Sequence, residues 1–160
     1  MAAYKRALAA VPARDVHDIE SAARAGIRRT PDAQTALAYR LSIDGMRAIE
    51  RRDLAAAARA LTRALALRPQ DQVTRYRQAR LLDARNEDLA AIELYESVMS
   101  AGTETPPSFY ASASLHAARL YEAQRDTARA IELYERAQTA FGADAATKSA
   151  ATRALTRLVR

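Results

Sequence analysis

The six residues Ala91-Ile92-Glu93-Leu94-Tyr95-Glu96 return unchanged as Ala130-Ile131-Glu132-Leu133-Tyr134-Glu135. A chain that repeats itself every few tens of residues stacks one supersecondary unit on the next. A weaker copy opens at Ala57, as Ala57-Ala58-Arg59-Ala60-Leu61. The interval from Ala57 to Ala91 falls within the range of repeat-protein periods, and the interval from Ala91 to Ala130 is slightly longer. Thr103-Glu104-Thr105-Pro106-Pro107 lies between the last two copies and reads as the insertion.

Composition selects helices as the material. Of 160 residues 40 are Ala, the best helix former, while aromatics are 6% and Gly and Pro number 4 and 5. Hydrophobic residues at 49% argue against disorder, and no apolar run approaches the length of a membrane span. Each copy predicts two helices. In the first, Leu37, Leu41, Gly45 and Ala48 fall on one stripe, Arg52-Asp53 breaks it, and Leu54, Ala57, Leu61, Ala64 and Leu65 form the second. Pro69 ends that helix, because the residue before proline disfavours the α region. In the second copy Ala79 and Leu82 precede an Asn86-Glu87-Asp88 turn, and Leu89, Ile92, Tyr95 and Val98 follow. In the third, Ala118 and Tyr121 precede Arg125-Asp126, and Ala130, Ile131, Tyr134 and Ala137 follow. Gly142 stands beyond that helix, where positive φ is wanted.

This pattern resembles the tetratricopeptide repeat family, over about residues 38–142. Its repeating unit is about 34 residues long. Matched to that unit, the small position of the first helix is Gly45, Ala79 and Ala118. The small position of the second helix is Ala57, Ala91 and Ala130, and the large one four residues later is Leu61, Tyr95 and Tyr134. The next small position is Ala64, Val98 and Ala137. The sequence departs from the family at Arg75 and Ser114, where a large residue is usual, and keeps the terminal proline only as Pro69. The resemblance implies an all-α, right-handed α-solenoid of antiparallel helix pairs with about eight or nine helices. Its repeats would run over about 38–71, 72–110 and 111–142. N-terminal helices would occupy 1–37, with Tyr4, Ala7 and Pro12 matching half a repeat, so the chain is expected to begin in mid-repeat. Residues 15–29 read as a helix and Thr30-Pro31 as the start signal of a long one. Residues 143–160 read as a capping helix, with Ala151, Leu155 and Leu158 on its inner stripe and Arg153, Arg157 and Arg160 on its solvated face.

Chemistry is hard to assemble from these residues. Cys is absent and His numbers 2, which leaves no thiol nucleophile and no Cys-ligated metal. No glycine-rich phosphate loop occurs. His17 and Glu20 at i, i+3 lack a third ligand, and Ser114 and His116 point to different helix faces. No catalysis, metal or cofactor is expected.

The resemblance instead implies a non-catalytic scaffold that binds a peptide or helical segment of another protein in a concave groove lined by the first helix of each pair. The groove residues it implies are Tyr39, Ile43 and Met46, with Ser42 and Ile49, in the first copy. They are Tyr76, Arg77 and Arg80 in the second, and Leu115, His116 and Arg119 in the third. Arg77, Arg80 and Arg119 around Tyr76 suit a partner with acidic residues. Family members that clamp a chaperone's terminal carboxylate use Lys and Asn here, and neither stands at these positions. Net charge is +6, and residues 1–80 carry 16 basic against 8 acidic residues while residues 81–160 carry 9 against 11. An alternative is therefore nucleic-acid binding through Arg24, Arg28, Arg29, Arg47, Arg51 and Arg52, although stacking aromatics are scarce there. A second alternative is self-assembly through an exposed repeat end. No signal peptide opens the sequence, so the default compartment is cytoplasmic, or periplasmic if an upstream signal has been removed.

Overall fold

The computed structural model describes residues 33–159. The expected half-repeat at Tyr4, Ala7 and Pro12, the helix over 15–29, Thr30-Pro31, the His17–Glu20 pair and Arg24, Arg28 and Arg29 lie outside the described residues. Seven α-helices occupy the rest: α1 (Ala33–Glu50), α2 (Leu54–Leu67), α3 (Gln72–Ala84), α4 (Asp88–Ser100), α5 (Pro107–Ala123), α6 (Thr127–Thr139) and α7 (Ala145–Leu158). A single 3-10 turn, Gly102–Glu104, sits in the insertion. No strand occurs among the described residues.

One turn design joins each hairpin. Arg52, Asn86 and Arg125 adopt left-handed φ of 63°, 60° and 66°. The residue after each donates its backbone N–H across the turn: Asp53 to Ala48, Glu87 to Leu82 and Asp126 to Tyr121, at 2.9 to 3.0 Å. This six-to-one bond satisfies a carbonyl that the helix end would otherwise leave unpaired. Two of these residues then begin the next helix. The carboxylates of Asp53 and Asp126 accept the N–H groups of Ala56 and Arg129, an N-cap worth about 1 kcal/mol. Asp71 and Asp144 cap α3 and α7 in the same way.

Within the unit Leu37–Arg160, α1 meets α2 through a small apolar cluster, and from α2 onward each helix packs beside the next. In addition α3 touches α5, and α5 touches α7. The odd-numbered helices therefore form one wall and the even-numbered ones lie behind it. Ala57, Ala91 and Ala130 are wholly buried, as are Ala79 and Ala118. Leu61, Tyr95 and Tyr134 fill the space one turn on. Gly45 marks a close crossing, since a Cβ there would stand 2.5 Å from Leu61 Cγ. Gly142 takes φ +73°, and a Cβ on it would stand 2.9 Å from Pro107 Cβ. These features make the molecule an all-α solenoid of antiparallel helix pairs, with seven helices in the described residues against the eight or nine expected for the whole chain.

Two local expectations change. Of the expected Leu37–Leu41–Gly45–Ala48 stripe of α1, Gly45 and Ala48 are buried, while Ala38 and Ser42 take the buried places expected for Leu37 and Leu41. Ser42 can be buried because its hydroxyl lies 2.8 Å from that of Thr74 and accepts from Arg77 at 2.6 Å. The helix α5 begins at Pro107, because proline suits the first helical turn. Tyr121, expected in the core, is only half-buried, its hydroxyl donating to Glu96 at 2.9 Å.

Candidate functional site

The odd-numbered wall carries every residue expected to line the groove, at different depths. Tyr39 is the most open, 61% exposed on α1. Ile43 is half-buried, and Met46, also half-buried, packs against the Ala48–Ile49–Ala57–Leu61–Leu81 cluster. Ile49 belongs to that cluster and also lines the recess beside Arg80 and Asp83. Tyr76 and Leu115 are buried, 7% and 6% exposed, so the wall presents neither as a free contact. The reason for Tyr76 is aromatic packing: its ring meets Phe109 edge-on at 5.3 Å and lies 5.9 Å from Tyr95. Leu115 joins the same core from α5. Arg77 and Arg80 are half-buried on α3, and Arg119 is exposed on α5.

The centre of the wall is a polar cluster set on those rings. The His116 ring stacks on Tyr95 at 5.7 Å and 14°. Its Nδ1 lies 3.6 Å from Asp83 Oδ2, and the Tyr95 hydroxyl lies 3.5 Å from the same oxygen. Close to His116, Asp83 is held below its usual pKa, against the opposing effect of burial. Burial pushes His116 below its ordinary value, and the Arg80 and Arg119 charges add to this while Asp83 opposes it. His116 is therefore neutral near pH 7. Burial works against the charge of Arg80, but the Tyr76 hydroxyl and Asp83 outweigh it. Burial lowers Arg77, opposed by Tyr39 and Asp71.

The Asp83–His116 pair has the form of a base and its orienter, but no nucleophile is aligned on it among the described residues. Ser114, two residues from His116, donates instead to the Tyr110 carbonyl at 3.0 Å inside the core. No group of three metal-binding side chains occurs among the described residues. A polar recess of about 430 Å³ opens beside the cluster, lined by Glu50, Arg52, Arg80, Asp83 and Asn86. The arrangement offers hydrogen-bond donors of fixed direction and partly exposed guanidinium groups.

Two features of this wall escape the sequence reading. Asp83 and Glu122 each receive a tyrosine hydroxyl from the helix that follows, Tyr95 and Tyr134. The signal is present in the sequence: Asp83 and Glu122 are separated by the same interval as Tyr95 and Tyr134. Arg157 of α7 is exposed on a solvated face as expected, and it also reaches back to Glu122 at 2.5 Å, a contact the sequence reading did not include.

Neither a family model nor a curated protein matches the sequence. Among solved structures the chain is similar to the N-terminal domain of stress-induced protein-1 (STI-1) from C. elegans. The TM-score is 0.65 at 18% identity, over 81% of this chain and all of that one. The likeness is one of fold. Together with the hairpin geometry it makes this a tetratricopeptide-type helical repeat fold. No described helix is long and apolar enough to cross a membrane.

Proposed function

We propose that the chain is a non-catalytic interaction scaffold whose odd-numbered wall binds a peptide or helical segment of a partner protein. In this reading three repeats, over about 38–71, 72–110 and 111–142, present the wall, and residues 143–160 close its end. The observation that supports it is the graded exposure of that wall. Rigid rings and an Asp–His pair lie beneath, while Tyr39, Arg77, Arg80 and Arg119 stand part-exposed above. Pre-fixed donors lower the entropy cost of gripping a flexible segment, and arginine favours carboxylates on it.

The test combines Arg80→Glu with Arg119→Glu. Proteins crosslinked to the wild-type wall, identified by mass spectrometry, should be lost from the double variant while its thermal melt stays cooperative. An unchanged crosslinked set would remove the groove reading. Binding of a generic oligonucleotide that collapses with salt would favour the nucleic-acid alternative instead.

A further inference from the structure

The same three positions of each hairpin change character along the wall. Met46 and Ile49 pack with Leu61 in the first. Arg80 and Asp83 face Tyr95 in the second, and Arg119 and Glu122 face Tyr134 in the third. The wall thus turns from aliphatic to ionic toward its C-terminal end. There a recess of about 220 Å³ opens between α5 and α7, lined by Arg119, Glu122, Tyr134, Arg153 and Arg157 with two alanines of α7.

The carboxylate inside this recess is already engaged. Glu122 accepts the Tyr134 hydroxyl at 2.7 Å and the Arg157 guanidinium at 2.5 Å. Arg153 donates to the Ser149 hydroxyl on its own helix. Among the described residues neither Arg119 nor Arg153 has a carboxylate within ion-pair distance. Three guanidinium groups against one carboxylate leave the recess with an excess of positive charge. Guanidinium groups lining one small recess repel each other unless an anion lies between them. A planar, singly charged carboxylate matches their fork geometry. A doubly charged phosphate would meet the Glu122 carboxylate at short range.

From this we infer that the α5–α7 recess is a carboxylate subsite. Arg119 and Arg153 bind an acidic side chain of an extended peptide, while Arg157 and Tyr134 hold Glu122 aside. The inference rests on the groove reading and adds α7 to it as a binding element.

The experiment follows the side-chain Nε–Hε NMR signals of Arg119 and Arg153 in the full chain. The probes are a C-terminally amidated Gly-Ser decapeptide carrying three Glu, the same amidated peptide with Gln at those positions, and inorganic phosphate, all at equal low ionic strength. The Glu peptide should shift both signals to saturation and the Gln peptide should leave them in place. Arg153→Gln should weaken the Glu peptide about tenfold, the loss expected for one charge-assisted contact, with the backbone spectrum unchanged. Unmoved signals, or full affinity in Arg153→Gln, would overturn the subsite. So would a phosphate response larger than the peptide's, which would make the recess a phosphate site. If Arg80→Glu abolishes peptide binding while Arg153→Gln does not, the groove stands and the subsite falls. If binding survives both changes, the groove reading falls as well.

Discussion

Where α1 crosses α2, the touching residues are Gly45, Ala48, Ile49, Ala57 and Leu61. Where α3, α4 and α5 meet, they include Tyr76, Tyr95, Phe109 and His116. Both regions occupy equivalent places in one repeat. The first relies on close approach and apolar fit alone. The second fills the space beside its crossing with rings and ties the tips of Tyr95 and Tyr134 to carboxylates. Ile49 precedes Asp83 by the same interval that separates Ala57 from Ala91, so the buried aliphatic of one hairpin becomes the hydroxyl acceptor of the next. A repeat can therefore keep its crossing while exchanging the chemistry on its inner wall.

Truncation separates the two regions most strongly. Tyr95→Ala should cost about 3–5 kcal/mol and Leu61→Ala about 2–4 kcal/mol by urea denaturation. Equal losses would mean that the ring cluster adds nothing beyond volume. Gly45→Ala should lose about 1–3 kcal/mol despite alanine's better helix propensity, because the new methyl overlaps Leu61. A rise in melting temperature would show that the crossing can relax. Tyr134→Phe should cost about 1–2 kcal/mol by leaving a Glu122 oxygen without its donor. In the first hairpin no variant of Leu61 can expose such a term.

Acid should act on the aromatic region and spare the aliphatic one. His116 has a depressed folded pKa, so the unfolded chain takes up its proton first as the pH falls. Its contribution is complete above about pH 6.5, the unfolded value, and is lost as the pH drops through the lower folded one. Asp83 is likewise depressed, and its contribution declines only below the ordinary carboxylate range. Melting temperature should decline between neutrality and pH 5, and His116→Gln should flatten that decline. An unaltered slope would place the titration elsewhere. The smallest effect concerns the turns. Arg125→Gly should gain about 0.5 kcal/mol by relieving left-handed strain, offset in part by unfolded-chain entropy, whereas Arg125→Ala should gain nothing.

The repeat is legible because close helix crossings admit only small side chains, and Ala57, Ala91 and Ala130 mark them at recurring intervals. The turns are legible from Arg52-Asp53, Asn86-Glu87 and Arg125-Asp126, which interrupt apolar stripes. The wall is less so. Ser42 reads as a groove residue because its burial depends on Thr74 and Arg77, which belong to the next hairpin. Tyr76 reads as a groove aromatic because only packing against Phe109 and Tyr95 reveals that its ring faces inward. Asp83 and Glu122 go unmarked in the sequence reading because their tyrosine donors lie on the following helix. Pairings across helices leave no local pattern, even when the repeat doubles them.

The turns at Asp53, Glu87 and Asp126 have a mechanical consequence. In each, a backbone bond closes one helix at the residue from which the next helix starts, so the joint has no slack. Twisting one rod of a hairpin must carry the other with it. One continuous core runs from Tyr76 to Ala154 and spans the loop at 101–106, which the Thr105 hydroxyl on the Val98 carbonyl also braces. Among the described residues flexure should therefore concentrate at 68–71, where the separate cluster of the first hairpin ends, with everything from α3 to α7 swinging as one piece.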